Sequence, residues 1–136
     1  MAIRTIAAGF LATLAFHPVT STAGEAGFKQ KGVASYYADR FHGRKTASGE
    51  IYNQKKMTAA HESLPFGTLV KVENLANTLS VIVKVNDRCR RHEQVIIDVS
   101  REAALELGFV RHGTARVRMS VVGNNPPDQV ATTARD

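Results

Sequence analysis

The sequence has few of the features that staple a small domain or anchor it in a membrane. It contains one cysteine, Cys89, so no disulfide can form within the chain. It contains no tryptophan. Its longest apolar run, residues 5–16, is shorter than the roughly 20 residues that a membrane-spanning helix needs. We therefore expect a fold held together by side-chain packing, and a retained membrane anchor is the less favoured interpretation.

Familiar catalytic and ligand-binding motifs are also missing. There is no phosphate-binding glycine loop, no nucleophile elbow and no clear internal repeat. His92 lies three residues beyond Cys89, but two potential ligands on one loop fall short of the four that a structural zinc site uses. The sequence therefore predicts neither a metal site nor a cofactor.

The charge is moderately basic, with a formal net charge of +6. Apart from Arg88, Arg90 and Arg91, the basic residues are scattered along the chain, which disfavours nucleic acid as a partner. An anionic extracellular polymer such as bacterial cell wall is a better match for an exported basic domain.

The N-terminus has the pattern of a secretory signal peptide. Arg4 precedes the apolar run, and the small residues Ser21 and Ala23 follow it. We predict a signal peptide over residues 1–23, cleaved after Ala23, with Ala26 as the alternative. No cysteine stands at the end of this segment to carry a lipid. We therefore predict a periplasmic or secreted protein without stable membrane insertion.

The remaining sequence is mostly short extended segments separated by turns. The predicted strands are residues 32–37, 57–60, 69–73, 79–85, 95–99 and 114–122. Ser100 is predicted to cap one short helix, residues 101–107, which Gly108 ends. This pattern indicates a mainly β fold, a closed barrel or a sandwich. The predicted organisation is a linker over residues 24–31, one domain over residues 32–123 and a disordered tail over residues 124–136.

Four ionisable residues stand at or near the ends of predicted strands and loops: Glu50, His61, Asp87 and Asp98. Such groups are candidates for a functional site, although ordinary structural roles give the same pattern. As structural alternatives, Glu50 could form an ion pair with Lys45, and His61 could be a hydrogen-bonded core histidine. Asp87 could be a turn residue, and Asp98 could help Ser100 to cap the helix. Composition alone leaves these alternatives open.

Four longer blocks, "GRKTASGE", "TAAHESLPFGT", "VKVNDR" and "IDVSREAA", carry a resemblance to a known family. These blocks have the order and spacing found in the rare lipoprotein A family, whose members are septal-ring peptidoglycan lytic transglycosylases. Over about residues 32–122 the chain closely resembles the double-psi β-barrel domain of that family. The resemblance implies a six-stranded double-psi β-barrel with one or two short helices and a groove across it. It implies a monomer that cleaves peptidoglycan glycan strands, peptide-poor ones above all, between N-acetylmuramic acid and N-acetylglucosamine, leaving 1,6-anhydro ends.

The resemblance also implies the site residues. Glu50, His61 and Asp87 match residues on which the family's activity depends, and Asp98 matches a groove acid of related barrels that include expansins. One acid would protonate the leaving oxygen and later act as base, with His61 orienting it and Glu50 fixing the loop or contacting the sugar. Asp87 and Asp98 would be neighbours if they end adjacent strands. The implied substrate-binding residues are Arg44, Thr46, Ser48, Tyr37, Asn86 and Arg88.

The chain departs from the family pattern beside Asp87. Cys89 and Arg90 stand where family members commonly have glycine and proline, so the backbone freedom of one and the rigidity of the other are lost. The first strand has Tyr36 where the family usually has tryptophan. Two further functions therefore stay open: a non-catalytic, expansin-like wall-binding or wall-loosening module, and an interaction protein that uses the barrel surface, such as an inhibitor or a secreted effector.

Overall fold

Six β-strands close into a barrel in the structure, a computed structural model that describes residues 27–124. The elements in chain order are strand β1 (Lys29–Tyr36), a 3₁₀ turn (Asp39–Phe41), β2 (Thr58–Ala60), β3 (Thr68–Asn74), β4 (Ser80–Asp87), β5 (Val95–Val99), helix α1 (Arg101–Leu107) and β6 (Ala115–Asn124). The strands follow the order β1-β5-β2-β4-β3-β6 around the barrel. The predicted mainly β class and closed barrel are confirmed.

The barrel mixes parallel and antiparallel pairs. The pairs β1 with β5 and β2 with β4 are parallel, and the other four pairs are antiparallel. A parallel pair cannot be closed by a tight hairpin, so the chain between its two strands must cross over the barrel. The register places Ser35, Asp98, Ala60 and Asp87, each near the C-terminus of its strand, in one row across the adjacent strands β1, β5, β2 and β4.

The domain is slightly longer than predicted at both ends. Strand β1 begins at Lys29, where Lys29 and Lys31 pair with Ser120 and Arg118 of β6, so the last residues of the predicted linker belong to the barrel. Lys29 and Lys31 are exposed and Gln30 between them is polar, which is why no apolar pattern marked this segment as a strand. Strand β6 ends at Asn124. The predicted signal peptide and residues 125–136 of the predicted tail lie outside the described residues.

The core is formed by alternate residues of the strands and one face of α1. In β3 and β4, Val70, Val72, Val83 and Val85 are completely buried, as the period-two alternation requires. Helix α1 adds three buried side chains, those of Ala103, Ala104 and Leu107. Each large aliphatic side chain buried in this way contributes about 1.5–3 kcal/mol relative to an exposed one. Packing can thus hold the barrel together without a disulfide.

Helix α1 begins and ends as its sequence predicts. The Ser100 hydroxyl accepts a hydrogen bond from the Ala103 amide at 3.2 Å, which caps the first turn. Gly108 ends the helix with φ of 77°, a left-handed conformation that glycine adopts without strain. Both capping predictions are confirmed.

Candidate active site

Asp87 and Asp98 lie on either side of Ala60 in the barrel. Ala60 of β2 pairs with Asp87 of β4 and with Asp98 of β5. The condition under which the two acids would be neighbours, that they end adjacent strands, is not met, because β2 lies between their strands and separates the two backbones by two strand spacings, about 10 Å. Both acids nevertheless line one cavity of about 410 Å³, with only the small side chain of Ala60 between them.

Bulges in two strand pairs decide which residues reach this cavity. Between β2 and β4, Ala59 pairs with Val85 but Ala60 pairs with Asp87, so Asn86 is an extra residue on β4. A bulge redirects the side chains that follow it, and here it brings Asp87 level with the end of β2. A strand pattern read from sequence does not locate such an extra residue.

The second bulge aligns β1 with β5. The register shifts between Val33 and Ala34, after which Ser35 pairs with Asp98. The two strands approach so closely that a Cβ atom on Gly32 would lie 2.6 Å from Cγ2 of Ile96. A residue without a side chain is therefore required at position 32.

The carboxylate of Asp87 is held by three donors. The Tyr37 hydroxyl donates to Oδ2 at 2.5 Å, and the amides of Ala47 and Arg88 donate to Oδ1 at 2.9 and 2.8 Å. The Tyr37 ring stacks on that of Tyr52 with 4.3 Å between centroids. Burial, then the hydrogen bond to Asp87, raises the pKa of Tyr37 above its usual value, so its hydroxyl remains a donor. Asp87 is thus fixed in orientation with its carboxylate at the cavity.

Asp98 has a different environment. The Ser35 hydroxyl, directly across the parallel β1–β5 pair, donates to its Oδ1. Asp98 therefore does not share the capping of α1 with Ser100. Ser35 was missed in the sequence because only the register of two strands 63 positions apart brings it to Asp98.

Glu50 forms a separate polar cluster beside Asp87. Its two carboxylate oxygens accept hydrogen bonds from Lys84 Nζ at 3.0 Å and Asn86 Nδ2 at 3.2 Å. Partial burial alone would raise the pKa of Glu50, but the hydrogen bonds from Lys84 and Asn86 and the Lys84 charge together lower it. Glu50 is therefore ionised at neutral pH and suits an electrostatic or positioning role. The ion-pair partner of Glu50 is Lys84, not Lys45. The sequence feature that could have indicated Lys84 is its position inside an otherwise apolar strand.

The loop from Thr46 to Glu50 is tied down from within and to the end of β4. The Thr46 hydroxyl donates to the Glu50 carbonyl at 2.7 Å and lies 3.0 Å from the Ser48 hydroxyl. The Ser48 amide donates to the Asn86 carbonyl at 3.2 Å. Gly49 has φ of 93°, which permits the tight turn. Thr46 is only 8% exposed, so its hydroxyl shapes this loop from inside.

Among the other residues implied as substrate contacts, Arg44 and Arg88 have different positions. Arg44 lies over the Phe41 ring, 5.6 Å from its centroid, and lines neither cavity beside Asp87. Arg88 donates through Nη1 to the Leu64 carbonyl at 2.7 Å and stacks on Phe66, with Cζ 4.1 Å from the ring centroid. Arg88 lines the cavity that holds both aspartates. Of these two arginines, only Arg88 lies beside the acids.

His61 is buried next to the acids without contacting their carboxylates in any described hydrogen bond. Its side chain is 1% exposed, and Nδ1 accepts hydrogen bonds from the amides of Ser63 at 3.1 Å and Leu64 at 3.0 Å. Nε2 lies 3.4 Å from Oε1 of Gln30. Burial lowers the pKa of His61, so the ring is neutral and carries its proton on Nε2. Its link to the acid is through the backbone, where its amide donates to the Asp87 carbonyl at 3.2 Å.

A second cavity lies beside Glu50. It has a volume of about 450 Å³ and lies between the Ser48–Gly49 turn and the Phe66–Gly67 turn, with Glu50 and Lys84 at its wall. Arg88, which lines the cavity of the two aspartates, stacks on Phe66, which lines this second cavity. A larger apolar cavity of about 490 Å³, beside Asn74 and Phe109, has no carboxylate in its lining. The candidate site is therefore the cavity that holds both aspartates, with the second cavity linked to it by the stacked Arg88 and Phe66 side chains.

Cys89 lines the cavity of the two acids but has the properties of an unreactive thiol. Burial, followed by the charge of Asp98, raises its pKa from 9.0 to about 11. We expect alkylation by iodoacetamide at pH 8 to be about 100-fold slower than that of an ordinary cysteine, because only the thiolate reacts. We also expect Cys89→Ser to keep the fold, with a melting temperature within a few degrees of the parent's. Rapid labelling, or unfolding of the serine variant, would contradict this interpretation.

Within residues 27–124, no group of three or more histidine, cysteine, aspartate or glutamate side chains is arranged to hold a metal ion. In the same range, no helix has the length and apolar character needed to cross a bilayer.

The closed six-stranded barrel with two parallel pairs defines a double-psi β-barrel protein. A family model described as "Lytic transglycolase" matches residues 29–119. The chain belongs to this family, as its sequence motifs predicted.

Curated relatives agree with this assignment. The chain is 52% identical over 102 residues to the endolytic peptidoglycan transglycosylase RlpA of Neisseria meningitidis serogroup B, covering 74% of this chain and 43% of the relative. It is 48% identical over 101 residues to the RlpA of Vibrio cholerae, covering 74% and 38%. The chain thus spans less than half the length of these relatives.

Solved structures show the same fold at lower identity. A Streptomyces papain inhibitor superposes with a TM-score of 0.59 at 23% identity, covering 71% of this chain and 96% of that one. An expansin from Clavibacter michiganensis superposes with a TM-score of 0.58 at 23% identity, covering 73% and 52%. These similarities support the fold alone.

Proposed function

We propose that this chain is a peptidoglycan lytic transglycosylase that cleaves glycan strands between N-acetylmuramic acid and N-acetylglucosamine and leaves 1,6-anhydro ends. The observation that carries the proposal is the Asp87 carboxylate, held by Tyr37, Ala47 and Arg88 in a cavity that it shares with Asp98. The names of the curated relatives support the same activity.

The proposed reaction needs no external water. The acid form of Asp87 donates its proton to the glycosidic oxygen, and the bond from that oxygen to C1 of the muramic acid breaks. The C6 hydroxyl of the same sugar bonds to C1, and its proton returns to the Asp87 carboxylate. One acid therefore suffices, in contrast to the paired carboxyl groups of ordinary glycosidases.

The neighbouring groups have supporting roles in this proposal. Tyr37 positions the acid, and Asp98 shares its cavity as the second carboxylate and the alternative candidate for the acid. Ionised Glu50 fixes the loop and offers an acceptor to sugar hydroxyls from the second cavity. His61 acts as a positioning residue, because its ring holds the turn whose Leu64 carbonyl anchors Arg88.

A digest of purified, peptide-free glycan strands tests the proposal. Mass spectrometry is expected to find products that end in 1,6-anhydro-muramic acid. Products with ordinary reducing ends would indicate hydrolysis instead. Sedimentation with purified sacculi without any released product would favour the expansin-like module, and failure of both assays would favour an interaction protein.

Export and a monomeric state are part of the same proposal. The sequence pattern of residues 1–23 predicts cleavage after Ala23. Intact-mass measurement of the protein recovered from cells is expected to give an N-terminus near Gly24 without an acyl group. A retained Met1 or an added acyl mass would contradict it.

A further inference from the structure

Phe66 is a fixed, exposed aromatic side chain beside the candidate acid. It lies in the turn between β2 and β3, and 42% of its surface is accessible. The Gly67 amide donates to the Val85 carbonyl at 2.8 Å, and the Thr68 hydroxyl donates to the Pro65 carbonyl at 2.7 Å. Gly67 has φ of 91°, a conformation that other residues rarely adopt. These bonds fix the backbone of the turn that carries the ring.

Arg88 covers part of this ring from one side only. Its guanidinium carbon lies 4.1 Å from the ring centroid, and Nη1 is anchored on the Leu64 carbonyl. Such a stacked cation helps to hold the ring in position. Phe66 lines the 450 Å³ cavity, whereas Arg88 does not. The ring therefore presents to this cavity a surface other than the one that Arg88 covers.

The rest of the cavity supplies polar groups around that apolar surface. Ser48 carries a hydroxyl, Glu50 an ionised carboxylate and Lys84 an ammonium group. An apolar surface rimmed by a few polar groups is typical of a binding site for a ligand of mixed character. A pyranose ring has this character, because its axial C–H groups form an apolar face and its hydroxyl groups lie around the edge.

We propose that the exposed face of Phe66 is a sugar-stacking subsite on one side of the cleaved bond, with Ser48, Glu50 and Lys84 as hydrogen-bonding partners of that sugar. This inference rests on the proposed function. Tyr37 lines the cavity that holds Asp87, so each of the two cavities has an aromatic ring in its lining. The chain contains no tryptophan, and Phe66 takes the role that a tryptophan platform would serve.

The absence of tryptophan makes the subsite directly observable. Phe66→Trp introduces a single indole there, and Leu79→Trp is a matched control, since Leu79 is 48% exposed and lies at the opposite end of β4 from Asp87. Both changes are made together with Asp87→Asn, so that the strands are not cleaved. Titration with peptide-free glycan strands is expected to shift and saturate the fluorescence of the first variant and to leave the control unchanged.

Binding and kinetics give the second measurement. With the active chain, Phe66→Ala is expected to raise KM for glycan strands about 5- to 10-fold, as the loss of one aromatic contact implies, with a smaller change in kcat. Phe66→Leu keeps bulk without a flat ring and is expected to show most of the same loss. Circular dichroism of each variant confirms that the barrel is folded.

The outcomes separate this inference from the proposed function. If strands bind and are cleaved but the Phe66→Trp fluorescence does not respond and KM is unchanged, the subsite is wrong and the transglycosylase activity stands. If the parent neither binds nor cleaves strands, both fail. A drop in kcat alone, with KM unchanged, would show that Phe66 acts only through Arg88 and Asp87, and would also overturn the subsite.

Discussion

Replacement of Asp87 by asparagine is expected to abolish the release of 1,6-anhydro ends while preserving the fold and glycan binding. The amide keeps the shape of the carboxyl group and an oxygen acceptor for the amides of Ala47 and Arg88. It cannot donate a proton as an acid does, and loss of a general acid typically costs about 10²–10⁴ in rate. Product release measured by mass spectrometry, alongside sedimentation with sacculi, checks both halves of the expectation.

Asp98→Asn is the matched control for that experiment. Asp98 lines the same cavity but is held by Ser35 alone among the described hydrogen bonds. If Asp98→Asn is inactive while Asp87→Asn keeps nearly the parent's rate, the roles of the two acids are reversed.

Glu50→Gln is expected to be severely impaired, because the ion pair with Lys84 is lost. Should all of these variants release product as the parent does, the groove is a binding surface and the enzymatic proposal fails.

His61→Ala is expected to lower the free energy of unfolding by about 2–4 kcal/mol and to impair activity severely. The change leaves a cavity and removes the acceptor of two amides, of which that of Leu64 is buried. Loss of this turn would also release the Leu64 carbonyl from its place beneath Arg88. Urea denaturation measures the stability, and the anhydro-end assay measures the activity.

His61→Asn separates support of the turn from direct chemistry. The asparagine side-chain oxygen can replace Nδ1 as the acceptor for Ser63 and Leu64, but it has no counterpart of the ring proton on Nε2. If His61 only positions the turn, His61→Asn keeps most of the stability and activity that His61→Ala loses. A folded, stable and inactive His61→Asn would show that the ring itself takes part in the reaction.

The pH dependence of stability provides an independent readout for this residue. Burial lowers the pKa of His61 in the folded chain, whereas in the unfolded chain it returns to about 6.5. The unfolded state therefore binds a proton first as the pH falls below about 6.5, and stability decreases in that direction. His61→Asn is expected to show a shallower decrease between pH 6.5 and the lower pKa of the folded state than the parent does. An identical slope in both proteins would contradict a buried, neutral His61.

The sequence by itself determined the class of the fold, most of its strands and the family. Alternation of apolar side chains in segments such as residues 69–73 depends only on which faces must be buried, so it is visible locally. The same holds for the cap at Ser100 and the stop at Gly108, since each satisfies backbone groups within a few residues. The family blocks likewise identified the carboxylates around which the site is built.

Only the tertiary structure decided how those carboxylates are placed. The bulge at Asn86 brings Asp87 level with Ala60, and the barrel order inserts β2 between Asp87 and Asp98. The pairing of Ser35 with Asp98 depends on the register between distant strands, as does the distance from Glu50 to Lys84. Register and strand order are set by the simultaneous packing of the whole core, and no short stretch of the chain contains that information.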